Sequence, residues 1–342
     1  MLLGKRTSVF AALYLCALLL FIRNFTSQAG EMTSTLVIGG SKIDVAIESG
    51  EMKLSQAELL RWVQSAAEAV AAYYGRYPVP RVQLRIIPAD GSGVRHGQTF
   101  GYDGGLIKIR VGKQTEMREL GNDWMLTHEM VHLSFPSMAD EHHWIEEGIA
   151  VYVEPIARIQ AKQMSAEQMW ADLVRDMPKG LPGDGDEGLD HTHTWGRTYW
   201  GGALFCFVAD AEIRKQTQNK KGLQDALRGI LEAGGNITHD WEMTEAFKIG
   251  DRATGTTVLS EQYAKWKDKP VQVDLAAMWK DLGIAADGKS VRFIDDAPLA
   301  AIRRAITAPD SWKSNSETAP SAVFAGRTVG ASSRGFSCSR VP

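Results

Sequence analysis

The feature that most constrains this chain is an H-E-x-x-H sequence that runs from His128 to His132. It falls within residues 122–135, whose pattern predicts a helix that ends before Pro136. Residues four apart on a helix project from one face, so both imidazoles can reach a single ion. Neutral imidazole is a good ligand for zinc, which takes about four ligands in a tetrahedron. Glu129 lies at the edge of that face, where it can take a proton from a metal-bound water as general base.

A zinc site of this kind needs a third protein ligand, and residues 144–150 supply an acidic one. Glu147 is the predicted ligand, because it shares a helix face with the tryptophan three residues before it. Glu146 remains the alternative. His142 and His143 also lie close in the sequence, but their acidic surroundings favour an exposed turn.

A tyrosine near the start of a long predicted helix, residues 198–216, is a candidate for the chemistry as well. The hydroxyl of Tyr199, if held near the metal, can donate a hydrogen bond to the oxyanion that forms when water attacks a carbonyl. From the residues alone, Tyr199 is equally well interpreted as an oxyanion donor or as an ordinary residue of the helix. His193, in the polar loop just before the helix, is an alternative donor.

These three elements in this order resemble the gluzincin metallopeptidases. The likeness is strongest to the glycyl aminopeptidase family and more distant to the aminopeptidase N family. The family pattern is H-E-x-x-H, then W-x-x-E-G-x-A, then Y-x-K-G-A-L at the start of a long helix. The second and third parts correspond here to residues 144–150 and 199–204, and the resemblance extends over about residues 95–285.

The resemblance implies an α+β fold with a zincin-like (thermolysin-like) catalytic domain. A small mixed sheet and the active-site helix would be followed by a mainly helical half. It further implies that His128, His132 and Glu147 bind Zn²⁺, that Glu129 is the general base, and that Tyr199 stabilises the oxyanion.

The chain departs from the family pattern at two places. Members carry a glycine-rich strand before the zinc helix, with a glutamate that pairs with the free amine of the substrate. The matching stretch begins at Gly104 and Gly105 and has Ile107 at the place of that glutamate, and isoleucine cannot bind an ammonium group. The strand can still pair with a peptide backbone, so the two glycines are predicted to bind substrate. Whether the chain is an aminopeptidase stays open, because Asp103 could take the place of the glutamate. At the second place, Gly201 stands where the family usually has lysine.

The first 29 residues have the features of a secretory signal. Lys5 and Arg6 precede an apolar run from about Ser8 to Ile22, and a small-residue cleavage site ends at Ala29. We therefore expect an exported protein, periplasmic or secreted. An uncleaved signal that serves as a membrane anchor is the alternative, and membrane contact is expected only through this segment.

Composition and patterning divide the rest of the chain into two halves and a tail. Hydrophobic residues make up 44% of the sequence and charged residues 23%, as in globular proteins. A formal net charge of −3 argues against nucleic-acid binding, which requires a basic face. We predict a sheet-and-helix half with the zinc helix, residues 30–138, then a helical half, residues 139–308, and a flexible tail, residues 309–342.

Periodicity places individual elements within these halves. The first half should hold a hairpin at residues 35–48 joined by two glycines, a helix that begins after Ser55, and strands at 82–87 and 106–111. The helices predicted in the second half span residues 142–161, 165–176, 198–216, 221–233, 258–267 and 273–282.

The resulting hypothesis is an exported zinc metallopeptidase that acts on peptides or protein segments. One alternative is a catalytically silent zincin-like module that binds a partner protein. The other is a zinc hydrolase of a non-peptide bond.

Overall fold

The computed structural model describes residues 32–101 and 104–308, and the backbone of residues 335–339. The predicted signal segment, Asp103 and the rest of the predicted tail lie outside the described residues. Within the described part of the chain, no helix combines the length and the apolar character that crossing a bilayer requires.

A six-stranded mixed sheet forms the first half, in the order β1-β2-β3-β5-β4-β8. The central strands β2, β3 and β5 run parallel, whereas β1, β4 and β8 run antiparallel to their neighbours. The predicted hairpin is confirmed as β1 and β2, and the two predicted strands as β3 and β5. The strands span Met32–Ile38 (β1), Ser41–Ile47 (β2), Arg81–Ala89 (β3), Val94–Phe100 (β4), Leu106–Gly112 (β5) and Gly335–Ser339 (β8).

One face of the sheet carries the core of this half. Alternate residues of β2, β3 and β5, such as Ile43, Leu84 and Ile109, are fully buried there. Helix α1 (Gln56–Tyr74) has nine buried residues along its length, and the zinc helix α3 (Met125–His132) is buried throughout. Because α1 packs against both α3 and the long helix α4 (His143–Gln160), the zinc helix is held within the core.

The second half is helical apart from one small hairpin. Its elements are α4, α5 (Ala166–Asp176), α6 (Gly202–Gln216), α7 (Leu223–Glu232), α8 (Met243–Thr254), α9 (Val258–Trp266), α10 (Leu275–Leu282), the strands β6 (Ile284–Asp287) and β7 (Ser290–Phe293), and α11 (Ala300–Thr307). A short helix α2 (Met117–Gly121) precedes α3, and a π-helical turn, Gly196–Gly201, leads into α6.

The zinc helix is shorter than the predicted range 122–135. It begins at Met125 because the carboxylate of Asp123 accepts hydrogen bonds from the backbone N–H groups of Met125 and Leu126. It ends at His132, where Ser134 donates its hydroxyl hydrogen to the carbonyl of Val131. The two histidines therefore occupy the last two turns of the helix.

Several elements were not predicted from the sequence. Strand β4, helices α8 and α11, and the β6–β7 hairpin all fall in segments without a prediction. Strand β8, which pairs with β4, was not predicted either and lies within residues 309–342, whose flexibility stays a prediction.

Candidate metal centre

Three side chains from two helices meet at one point of the core. His128 and His132 lie on α3, and Glu147 lies on α4. The Nε2 atom of His128 is 3.2 Å from Oε2 of Glu147 and 3.2 Å from Nε2 of His132. The remaining distance, from His132 Nε2 to Glu147 Oε2, is 3.7 Å. These are the three residues that the sequence predicted as ligands, and together they could hold a metal ion.

The size of this triangle fits zinc. A point equidistant from three corners separated by these distances lies about 2.0 Å from each, which is the length of a bond from zinc to nitrogen or oxygen. The donor set of two imidazoles and a carboxylate leaves a fourth tetrahedral position for water or substrate. The side chains present therefore fit a catalytic zinc ion.

Burial and mutual contact perturb the three groups strongly. Burial by itself would raise the pKa of Glu147, but the neighbouring His132 and His128 hold that pKa below its usual value. Burial, together with the nearby His128, lowers the pKa of His132 to about 3. Burial also acts to lower the pKa of His128, yet contact with Glu147 raises it overall. Contact with Glu147 thus favours the protonated form of His128, and metal binding competes with protonation at this imidazole.

Glu147 rather than Glu146 meets the two imidazoles. The Glu146 carboxylate accepts a hydrogen bond of 2.9 Å from the backbone N–H of Met138 and lies 3.2 Å from Nδ1 of His143. The other ring nitrogen of His143 lies 3.4 Å from Oε1 of Glu147.

The expectation that His142 and His143 stand in an exposed turn is corrected. His142 lies 3.1 Å from Asp190, and its side chain is largely buried. His143 is half-exposed and links the two acidic residues next to the metal centre. The turn packs against the core because Asp190 also accepts hydrogen bonds from Trp144 and Tyr263.

Glu129 points from the zinc helix toward β4. The hydroxyl of Thr99, on β4, donates a hydrogen bond of 2.6 Å to Oε2 of Glu129. Gly97, two residues earlier on the same strand, makes room for the carboxylate, since a Cβ atom there would lie 2.5 Å from Oε1 of Glu129. Burial raises the pKa of Glu129 to about 8 in the metal-free chain. A carboxyl group that lies one residue from a predicted ligand, with a pKa close to neutral pH, suits a general base.

A cleft of about 820 Å³ reaches the metal centre at His128. Tyr199 lines the same cleft from the π-helical turn, half-buried and stacked on Trp195 with ring centroids 5.7 Å apart. The predicted alternative donor, His193, is exposed and is not among the residues that line this cleft. Tyr199 and His128 therefore face one space, as the oxyanion hypothesis requires.

Two close helix contacts fix that arrangement. A Cβ atom on Gly148 would overlap the backbone of Gly202, and one on Gly202 would overlap the carbonyl oxygen of Trp144. Helices α4 and α6 therefore touch backbone to backbone, directly after Glu147 and three residues after Tyr199.

Gly104 and Gly105, predicted to bind substrate, lie in close contact with neighbouring parts of the fold. Both have positive φ, and Cβ atoms there would approach the carbonyl oxygen of Arg81 and the side chain of Leu133 respectively. The strand that follows them, β5, is paired on both sides by β3 and β4. Strand β4 is likewise paired on both sides, by β5 and β8, and substrate binding by the two glycines stays a prediction.

Sequence reasoning missed three residues at this centre. Thr99 and Gly97 lie in a strand with no alternating apolar pattern, and no local signal marks them. Glu154 lines the cleft beside His128, and burial raises its pKa to about 7 against the opposing effect of Arg158, 3.0 Å away. Its position seven residues after Glu147, two turns along the same helix face, was a signal that could have identified it.

Comparison with known proteins bears on the fold. No protein-family model matches the sequence, and no curated protein matches it significantly. Among solved structures, an aminopeptidase N family protein from Idiomarina loihiensis is similar with a TM-score of 0.57 and 12% identity, over 74% of this chain and 49% of that one. The fold is zincin-like. It is the α+β fold that the sequence predicted, and it resembles gluzincin metallopeptidases of the aminopeptidase N family.

A second match is an M1 zinc metallopeptidase from Deinococcus radiodurans, with a TM-score of 0.46 and 14% identity, over 72% of this chain and 52% of that one. The chain thus spans about half the length of the structures that it matches. The stronger resemblance to the glycyl aminopeptidase family stays a prediction.

Proposed function

We propose that this protein is an exported zinc metallopeptidase that hydrolyses peptide bonds. The observation that carries the proposal is the convergence of His128, His132 and Glu147 on one point, with the buried carboxylate of Glu129 on the helix of the two histidines. A silent binding module has no need for a buried carboxylate held beside such a centre.

The roles of the side chains follow from their places. The two imidazoles and the Glu147 carboxylate would hold zinc, which supplies a Lewis acid next to a water molecule and a carbonyl group. Glu129 accepts the proton of the attacking water and returns it to the leaving amine. Thr99 fixes the orientation of that carboxylate through its hydrogen bond. Tyr199 donates a hydrogen bond to the oxyanion from the opposite side of the cleft.

The decisive experiment is a peptide-library assay of the purified protein, with and without a chelator, beside Glu129→Gln. We expect cleavage that requires zinc and that falls by at least about 100-fold in the variant, which should still bind one zinc ion. Glu141→Gln, at an exposed position, is the matched control and should keep full activity. Full chelator-sensitive cleavage by Glu129→Gln would show that the base is misassigned. Zinc binding without hydrolysis of any peptide would favour the silent module.

Paired peptides with free and N-acetylated amino ends test the remaining question of specificity. An aminopeptidase should cleave only the free form, because it must bind an ammonium group. Equal cleavage of both forms would assign internal cleavage, as expected with Ile107 in place of an acidic residue.

Export is tested by determining the mature amino terminus of the protein recovered from its native host.

A further inference from the structure

The C-terminal segment of the chain lies where an extended peptide would bind. Strand β8 pairs antiparallel with β4 along the edge that faces away from β5. The register is continuous, from His96 opposite Ser339 to Phe100 opposite Gly335. Exposed strand edges offer unpaired N–H and C=O groups, and added peptides commonly bind there by forming one more strand.

This edge belongs to the strand that holds the general base. Gly97 and Thr99 of β4 contact the Glu129 side chain, and they stand opposite Cys338 and Phe336 in the register. The backbone of β8 also approaches the zinc helix, with Cα atoms of the two elements within 8 Å of each other. A peptide positioned for attack by water near Glu129 would need the same part of the β4 edge.

The side chains of the centre are buried in this arrangement. Glu129 and Glu147 are 0% exposed, and His128 is 1% exposed. The cleft on the Tyr199 side reaches His128, whereas β8 lies on the β4 side, next to the base. A substrate that spans the centre has to pair on the side that β8 occupies.

We infer that residues 335–339 are an internal ligand of the β4 edge and compete there with peptide substrates. This inference rests on the proposed peptidase function and adds a regulatory element to it. The segment belongs to the same chain as the edge that it pairs with, so its competition with an added peptide is intramolecular. Competition of this kind raises the apparent KM and leaves kcat unchanged.

The test uses full-length variants with proline in β8, since proline lacks the N–H group that a strand ladder needs. Successive N–H groups of a strand point to opposite sides, so either Phe336→Pro or Ser337→Pro must remove one that faces β4. Ser332→Pro, a serine-to-proline change outside β8, is the matched control. We expect at least a threefold rise in kcat/KM, entirely through KM, in one or both β8 variants and none in the control.

A second measurement needs no activity. Hydrogen exchange on the metal-free chain reports the amides of Gly97, Gln98 and Thr99, which alternate between partners in β5 and β8. The amides that face β8 should exchange at least tenfold faster in the affected proline variant, whereas those that face β5 should not change. Unchanged exchange at every β4 amide would overturn the assignment of β8 to this edge.

The outcomes separate this inference from the proposed function. If the unaltered protein hydrolyses peptides and the β8 variants match it in KM, the competition is refuted while the peptidase assignment stands. If no form hydrolyses any peptide but exchange changes as expected, the proposed function fails and the pairing remains. Loss of residues beyond 335 on incubation with zinc would also refute the inference, because the segment would then be a substrate.

Discussion

The substitution Gly97→Ala tests the position of the general base directly. A Cβ atom at residue 97 would lie 2.5 Å from Oε1, 2.6 Å from Cγ and 2.8 Å from Cδ of Glu129. Three overlaps with one side chain cannot be relieved by rotation of the carboxylate alone. Because Glu129 is fully buried and Thr99 holds its other oxygen, the side chain has to move as a whole.

The size of the effect follows from that displacement. Carbon and oxygen atoms in ordinary contact stand about 3.5 Å apart, so the carboxylate must shift by about 1 Å. A misplacement of 1 Å at a catalytic group costs on the order of 100-fold in rate. We therefore expect kcat of Gly97→Ala to fall about 100-fold with little change in KM. No atom of His128, His132 or Glu147 is among the nearest atoms that this Cβ would meet, so the variant should still bind one zinc ion.

The assay compares kcat, KM, zinc content and the thermal unfolding midpoint of Gly97→Ala with those of Gly121→Ala. The second glycine ends α2, and a Cβ atom there meets no atom within 4 Å, so its variant should behave like the unaltered protein. A folded, zinc-loaded Gly97→Ala that retains more than half of the original kcat would refute the placement of Glu129 against β4.

Three further changes probe the centre. Glu147→Ala removes one of three ligands and should weaken zinc binding by more than about 100-fold, measured by titration against a competing chelator. Thr99→Val should lower kcat roughly tenfold by removing the hydrogen bond to Glu129, with zinc affinity unchanged and with Thr99→Ser restoring activity. In the metal-free chain, burial raises the pKa of Glu129 to about 8, so the folded state keeps a proton that the unfolded state loses near pH 4.5. The free energy of unfolding should therefore fall as pH rises from about 4.5 to 8, and fall less in Glu129→Gln, as measured by urea denaturation at several pH values.

The elements with strong local periodicity could be predicted from the sequence. Ile43, Val45 and Ile47 alternate into the core, and the capping box at Ser55 and Glu58 forms as expected. The two histidines of the candidate metal centre could be found because their spacing of four residues is close to one helical turn. In each case the pattern that marks the element lies within a few residues along the chain.

Strand β4 could not be found in this way, because its stability comes from distant partners. Its sequence Val94–Phe100 contains histidine, glycine, glutamine and threonine in place of an apolar alternation. Thr99 is buried because it hydrogen-bonds Glu129, thirty residues later. Strand β8 depends in turn on β4, so neither its existence nor its place follows from the composition of the tail.

The relative position of Glu147 and Tyr199 also depends on a contact between residues far apart in the sequence. Two glycines make that contact. Gly148 and Gly202 look unrelated in the sequence, but each occupies space that a side chain on the other would need. Helices α4 and α6 must therefore cross at this point, and Glu147 precedes the crossing by one residue. Tyr199 precedes it by three, on the π-helical turn that widens the helix start. The close approach of these two glycines thus fixes where Glu147 and Tyr199 lie relative to each other.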